Sequence, residues 1–203
     1  MTSALVYGGT FDPVHNGHLA IARQARAAAG AQAVWFVPAS LAPLRDRPVA
    51  TPENRFKLLV AATQGEPGFV VLDLALRRGG VSYTIDTMDA LHDLHPDLDL
   101  AVLIGADAAR TIPAWERAED LLRREHFVVV NRTGVQPPTA TELDELGFAP
   151  ERTAVLSVNS PDVSASEVRG RLGRGEPVAG LLPEAVVAMI ESTGMYRSNR
   201  DDA

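Results

Sequence analysis

The residues best suited to chemistry are two histidines three positions apart, His15 and His18, just past the adjacent glycines Gly8 and Gly9. Imidazoles at that spacing could hold phosphate oxygens, move a proton or ligate a metal. A zinc site is disfavoured, because the chain has no cysteine and no H-E-x-x-H segment. The surroundings favour an anion. Ala4-Leu5-Val6-Tyr7 suits a buried strand, and the alanine-rich stretch from Leu19 to Ala29 reads as a helix. Between them the glycine pair allows backbone N–H groups to approach a ligand closely, and the unpaired amides at a helix start favour negative charge. Neither G-x-x-x-x-G-K-[ST] nor G-x-G-x-x-G is present, so the common phosphate loops do not apply.

A second group lies near the other end of the chain, in Val163-Ser164-Ala165-Ser166-Glu167-Val168-Arg169. Ser164 with Glu167 three residues on forms a capping box, which by itself accounts for Ser164. The same box starts a helix carrying Ser166 and Arg169 on its first turns. Further candidates follow strand-like runs. Gly105 and Asp107 come just after Leu100–Ile104, Arg132 after Phe127–Asn131, and Arg45 and Arg47 lie in the proline-containing loop from Ala39 to Val49. Each also has a plainer reading, as turn residue or solvated loop cation.

The elements that must position these residues alternate. Strands are expected at 4–7, 33–37, 69–74, 100–104, 127–131 and 154–158. Helices are expected at 19–29, 51–63 through Phe56, Leu59 and Val60, from Ser82 on, 113–124, from Ser164 on, and from Pro183 to a stop at Gly194. Ile85, Met88 and Leu91 sit at helical spacing and read as core. Strand and helix in alternation predict an α/β fold, Rossmann-like and doubly wound, with a mainly parallel sheet and helices on both faces. In such sheets ligands bind beyond the carboxyl ends of the strands, which is where every candidate above falls. One domain over 1–197 is expected, with 198–203 as a disordered tail.

Composition narrows the class. Of 203 residues, 46% are hydrophobic and 22% charged, a globular balance without an apolar run of transmembrane length. No secretory signal is visible, and a cytoplasmic location is expected. The formal net charge of −7 argues against a nucleic-acid partner. A small polyanionic substrate remains compatible, since local arginines and backbone dipoles act within a Debye length of about 8 Å.

Gly8-Gly9-Thr10-Phe11-Asp12-Pro13-x-His15-x-Gly17-His18 resembles the HxGH signature of the nucleotidyltransferase superfamily, in the long form found in bacterial nicotinate-nucleotide adenylyltransferases. Val163–Arg169 resembles that family's second signature, ISSTxIR. Gly79-Gly80-x-Ser82-Tyr83-Thr84, Gly105-x-Asp107 and Trp115 fall where the family has equivalents, and they separate the chain from phosphopantetheine adenylyltransferases and cytidylyltransferases. The resemblance implies adenylyl transfer from ATP to nicotinate mononucleotide, giving nicotinate adenine dinucleotide and pyrophosphate in NAD biosynthesis. It implies ATP held by Gly8, Gly9, Thr10, Phe11, His15, His18, Ser164, Ser166 and Arg169, with Gly105 and Asp107 bordering a ribose or the pyridine nucleotide. His15, His18 and Arg169 would be catalytic, Thr84 and Trp115 would face the nicotinate ring, and Arg132, Arg45 and Arg47 would be candidates for the mononucleotide phosphate. Mg²⁺ would enter on the triphosphate, with no protein-held metal. In one place the chain departs from the pattern: many relatives read PPHK where this sequence has Ala42-Pro43-Leu44-Arg45. Another phosphate acceptor such as phosphopantetheine, or a non-catalytic nucleotide-binding regulatory module, are the alternative readings, and homo-oligomerisation is left open.

Overall fold

A computed structural model of the chain describes residues 2–44, 46–132 and 136–197. In chain order the elements are β1 (Ala4–Gly9), α1 (Asn16–Ala28), β2 (Ala33–Pro38), α2 (Pro52–Thr63), β3 (Phe69–Val71), α3 (Leu74–Arg78) and α4 (Thr84–Leu94). They continue with β4 (Leu100–Gly105), α5 (Ala106–Arg110), α6 (Ala118–Arg124), β5 (His126–Arg132), α7 (Ala140–Glu145), β6 (Thr153–Val158), α8 (Ala165–Arg174) and α9 (Glu184–Thr193). The strands form one sheet in the order β3-β2-β1-β4-β5-β6, with every neighbouring pair parallel. The expected doubly wound α/β architecture is what the chain adopts.

Side-chain alternation along the central strands divides the core in two. Leu5 and Tyr7 of β1, with Ala101 and Leu103 of β4, join Leu19 and Ala22 of α1, Leu58 and Leu59 of α2, Val168 of α8 and Ile190 of α9. Ala4 and Val6, with Leu100, Val102 and Ile104, join Ile85, Met88 and Leu91 of α4, Ala109 of α5 and Leu121 of α6 on the other face. Buried on both faces, β1 and β4 are the near-continuous apolar runs that a parallel sheet requires.

The strand order reverses direction between β1 and β4, which are paired with Val6 opposite Val102. The loops that follow these strands diverge to opposite faces and leave a crevice at their carboxyl ends. Gly8, Gly9 and Gly105 lie at its floor.

Several boundaries differ from expectation. β3 ends at Val71, and Asp73 stands at the N-cap position of a short helix into which Leu74, Arg77 and Arg78 continue. The span 113–124 is interrupted. A 3₁₀ turn covers Ile112–Ala114, and α6 begins only after Arg117, which takes a left-handed φ of 51°. On α2 the buried stripe is Arg55, Leu58, Leu59 and Ala62, whereas Val60 points outward at 43% exposure. The short α5, unforeseen from sequence, carries Asp107 in its first turn. The candidate tail at 198–203 lies outside the described residues.

Candidate active site

Helix α1 starts at Asn16, three residues earlier than its alanine content suggests, so His18 occupies the third helical position and His15 the N-cap. The His15 backbone N–H donates to His18 Nδ1 at 3.2 Å. The two rings stack with centroids 3.7 Å apart and 25° between planes. Phe11 packs edge-on against His18 at 5.0 Å and against Tyr7 at 5.5 Å. That ring leans on the preceding turn: a Cβ at Gly9 would stand 2.9 Å from the Phe11 ring, so any side chain there would force the packed ring to shift. Gly8 and Gly105 are different. A Cβ on either would meet nothing within 4 Å, and neither takes a positive φ. The fold itself therefore does not demand glycine at these two positions, which border the crevice.

Asp12 is the hub of the loop. Its side chain is 4% exposed, and its carboxylate accepts the Val49 N–H at 2.8 Å on Oδ2. Oδ1 accepts the Ala50 N–H at 3.1 Å and the Tyr196 hydroxyl at 2.8 Å. The Asp12 main-chain carbonyl accepts from Arg169 Nη1 at 2.7 Å, while Arg169 Nη2 donates to Ser166 Oγ at 3.2 Å. Arg169 is thus fixed on the first turns of α8, facing the α1 loop. Ser164 caps α8 by accepting the Glu167 N–H at 3.1 Å. The reciprocal half of the expected capping box does not form, because the Glu167 carboxylate turns outward to Arg171.

Beneath the loop lies Arg55, with no solvent exposure. Its guanidinium donates to three carbonyls, of Thr10 at 2.7 Å, Ser40 at 2.9 Å and Ala50 at 3.3 Å. Burial pulls this group below the ordinary arginine range, and the negative charge of Asp12 acts in the opposite sense. The loop after β2 is held from its other side as well. The Ser40 N–H donates to Ser82 Oγ at 2.9 Å, and Leu41 pairs with Val81. Ser82 is therefore a loop tie, and the helix it was expected to open begins two residues on, with Tyr83 at the N-cap and Thr84 first in α4.

A family model described as cytidylyltransferase-like matches residues 6–171. A curated relative from Herpetosiphon aurantiacus, named as a probable nicotinate-nucleotide adenylyltransferase, is 35% identical over 94% of this chain and 96% of its own length. One of the same name from Desulfitobacterium hafniense is 37% identical over 95% of this chain and 94% of its own. The chain belongs to the nicotinate-nucleotide adenylyltransferase family. Among solved structures, a Plasmodium falciparum nicotinic acid mononucleotide adenylyltransferase complexed with NaAD has a TM-score of 0.77 at 17% identity, covering 97% of this chain and 98% of that one. The same enzyme complexed with APC has a TM-score of 0.74 at 17% identity, with the same coverage. At such identity the likeness shows a shared fold.

Within this adenylyltransferase fold, the sequence-expected residues fall on two sides of the crevice. His15, His18, Ser164, Ser166 and Arg169 gather on the face of α1 and α8. Thr84, Asp107 and Trp115 lie on the face of α4 and α5, where Trp115 packs partly buried on the second core and donates its indole N–H to Thr111 at 3.1 Å. The Asp107 side chain is 66% exposed, 3.7 Å from Arg110. Arg47 is exposed and flanks a shallow hollow lined by Ser40, Val49 and Arg55. Arg45 and the side chain of Arg132 lie outside the described residues. Among the described residues no group of three or more histidine, aspartate or glutamate side chains could hold a metal ion, and no helix is long and apolar enough to cross a membrane.

Sequence reading missed Arg55 and Tyr196. A signal for Arg55 was available: it shares the 55, 58, 59, 62 stripe with Leu58, Leu59 and Ala62, so any buried stripe on that helix carries a guanidinium inward. For Tyr196 the only hint was an aromatic residue standing beyond a helix-closing glycine.

Proposed function

We propose that the protein transfers the adenylyl group of ATP to nicotinate mononucleotide, releasing pyrophosphate and forming nicotinate adenine dinucleotide. The observation that carries this reading is the junction of two helix N-termini, α1 and α8, over a strand-end turn whose Gly8 has no steric need to be glycine. Two helix N-termini, whose dipoles favour negative charge, with two stacked imidazoles and one arginine fork around an open glycine turn suit a triphosphate. ATP is assigned to this side, contacted by Gly8 to Phe11, His15, His18, Ser164, Ser166 and Arg169. The acceptor nucleotide is assigned to the opposite side, with Gly105 and Asp107 at the boundary, the start of α4 at Thr84 offering amide donors to a ring carboxylate, and Trp115 offering an aromatic surface. Arg47, Arg45 and Arg132 are the candidate partners of the acceptor phosphate.

The acceptor's phosphate attacks the α-phosphorus of ATP, and pyrophosphate departs with the electron pair of the broken P–O bond. That nucleophile is ionised at neutral pH, so the residues need to position and to stabilise charge rather than remove a proton. His15 and His18 are assigned to phosphate oxygens. Arg169, with a planar fork only partly committed to Asp12 and Ser166, is assigned to the β- and γ-phosphates, where negative charge accumulates as pyrophosphate leaves. The donor set does not fit a resident metal: among the described residues no three acidic or histidine side chains converge, and the Asp12 carboxylate is already engaged by three N–H and O–H donors, so Mg²⁺ is read as part of the MgATP substrate.

The test is pyrophosphate release from ATP and Mg²⁺ with nicotinate mononucleotide, with nicotinamide mononucleotide as the alternative acceptor and His18→Ala as the altered protein. Release with the acid, abolished in the variant, is expected. Absence of release while ATP still binds would overturn the reaction, and unchanged release by His18→Ala would overturn the assignment of the histidines.

A further inference from the structure

Tyr196 lies beyond the last helix and far in sequence from either signature, yet its hydroxyl donates to Asp12 Oδ1 at 2.8 Å. Three features make this contact more than a tether for the chain end. First, Asp12 is buried and, among the described residues, its carboxylate holds three donors at once: the Tyr196 hydroxyl and the Val49 and Ala50 amides that close the loop after β2. Second, the same residue's carbonyl anchors Arg169 at 2.7 Å, with Arg169 Nη1 also 3.9 Å from Asp12 Oδ2. A shift of Asp12 therefore displaces the arginine fork. Third, Tyr196 holds a left-handed φ of 66°, which a non-glycine residue keeps only when tertiary contacts impose it. Its ring packs with Met195 against the core shared by α1, α2 and α9. Burial, followed by the negative charge of Asp12, pushes the phenol above its ordinary range, which favours the protonated, donating form.

We propose that Tyr196 is a positioning residue for ATP binding: through Asp12 it sets the place of Arg169 and of the 49–50 backbone, so that the segment after α9 completes the nucleotide side of the active site. This rests on the assignment of Arg169 to the triphosphate. Tyr196 itself touches no substrate in this scheme. A merely structural tyrosine would stabilise the fold and leave substrate affinities alone.

The experiment measures binding of α,β-methylene-ATP by calorimetry, and steady-state KM for both substrates, on the full chain carrying Tyr196→Phe. Thr193→Ala serves as the control, because it removes a hydroxyl bonded to the Met189 carbonyl at the same helix end without reaching Asp12. Loss of one hydrogen bond to a buried carboxylate is expected to weaken the ATP analogue by roughly tenfold. KM for nicotinate mononucleotide should change less than twofold, and Thr193→Ala should change neither. In an Arg169→Lys background the phenylalanine should add less than twofold. Analogue affinity within twofold of the parent in Tyr196→Phe, an equal loss for both substrates, or a full tenfold loss on top of Arg169→Lys would each overturn the proposal. Arg169→Lys alone separates the two levels: if it leaves analogue binding unchanged, the assignment of Arg169 fails. If it weakens binding while Tyr196→Phe does not, only the role of Tyr196 fails.

Discussion

At the residue scale, the three crevice glycines are not equivalent, and alanine at each should report a different quantity. Gly9→Ala drives a methyl against the Phe11 ring, which is already boxed by Tyr7, His18 and Phe36. A loss of about 1–3 kcal/mol in urea unfolding is expected, the usual cost of forcing extra volume into a packed site. Gly8→Ala and Gly105→Ala meet only open space, so their unfolding midpoints should match the parent. Their nucleotide affinity should fall, because the added methyl occupies the side from which a ligand would approach. Equal affinity in both variants would show that the crevice floor is not contacted. Arg55→Leu tests the buried guanidinium. It leaves the carbonyls of Thr10, Ser40 and Ala50 without their donor, and about 3 kcal/mol of stability should be lost in the same unfolding assay. These distinctions were only partly legible in the chain. The glycine pair and the histidines stand out by type and spacing, but which glycine the fold needs depends on where the Phe11 ring lies.

At the element scale, helix starts decide how the site is presented. Ser164→Ala and Thr139→Ala each remove one side-chain acceptor from a helix N-terminus, on α8 and α7 respectively. Each should cost about 1 kcal/mol in stability. Only Ser164→Ala is expected to raise KM for ATP, which separates a cap at the site from an ordinary cap. Packing of α4 against α6 adds a pH-dependent element. Burial pushes Asp89 up, but hydrogen bonds from Arg124 and Arg117 outweigh it, leaving the carboxyl below its ordinary range. A group depressed in the folded state contributes stability above its unfolded pKa of about 3.9 and loses it as pH falls through the folded value. Asp89→Asn should therefore flatten the decline of the melting temperature below about pH 4 and have its smallest pH dependence near neutrality. The effect should shrink in high salt, since these side chains are partly exposed. The longer helices and their order were readable from caps and periodicity, whereas the short α3 and α5 were not. The break at Arg117 and the early start of α1 were not, because both arise where tertiary contacts override alanine content and charge pattern.

At the scale of the whole molecule, binding should be visible as stabilisation. A ligand held at a hundred times its Kd stabilises the folded state by about 2.7 kcal/mol, which for a chain of this size raises the melting temperature by roughly 5–10 °C. MgATP is expected to produce that rise, and Arg169→Ala to remove most of it; an undiminished rise in the variant would place the triphosphate elsewhere. The sequence by itself determined the α/β class, the strand order's raw material and the two signatures, because hydrophobic period, capping residues and glycine placement are local properties that survive without a fold. It also placed the candidate site residues beyond strand ends. Only the tertiary structure decided that the Asp12 carboxylate takes its donors from two distant segments, that Arg55 is buried beneath two loops, and that Tyr196 closes on the first loop. Those contacts link positions up to 184 residues apart, and no local pattern encodes a partner at that separation: burial makes each group depend on whichever donor or acceptor the packed sheet brings to it.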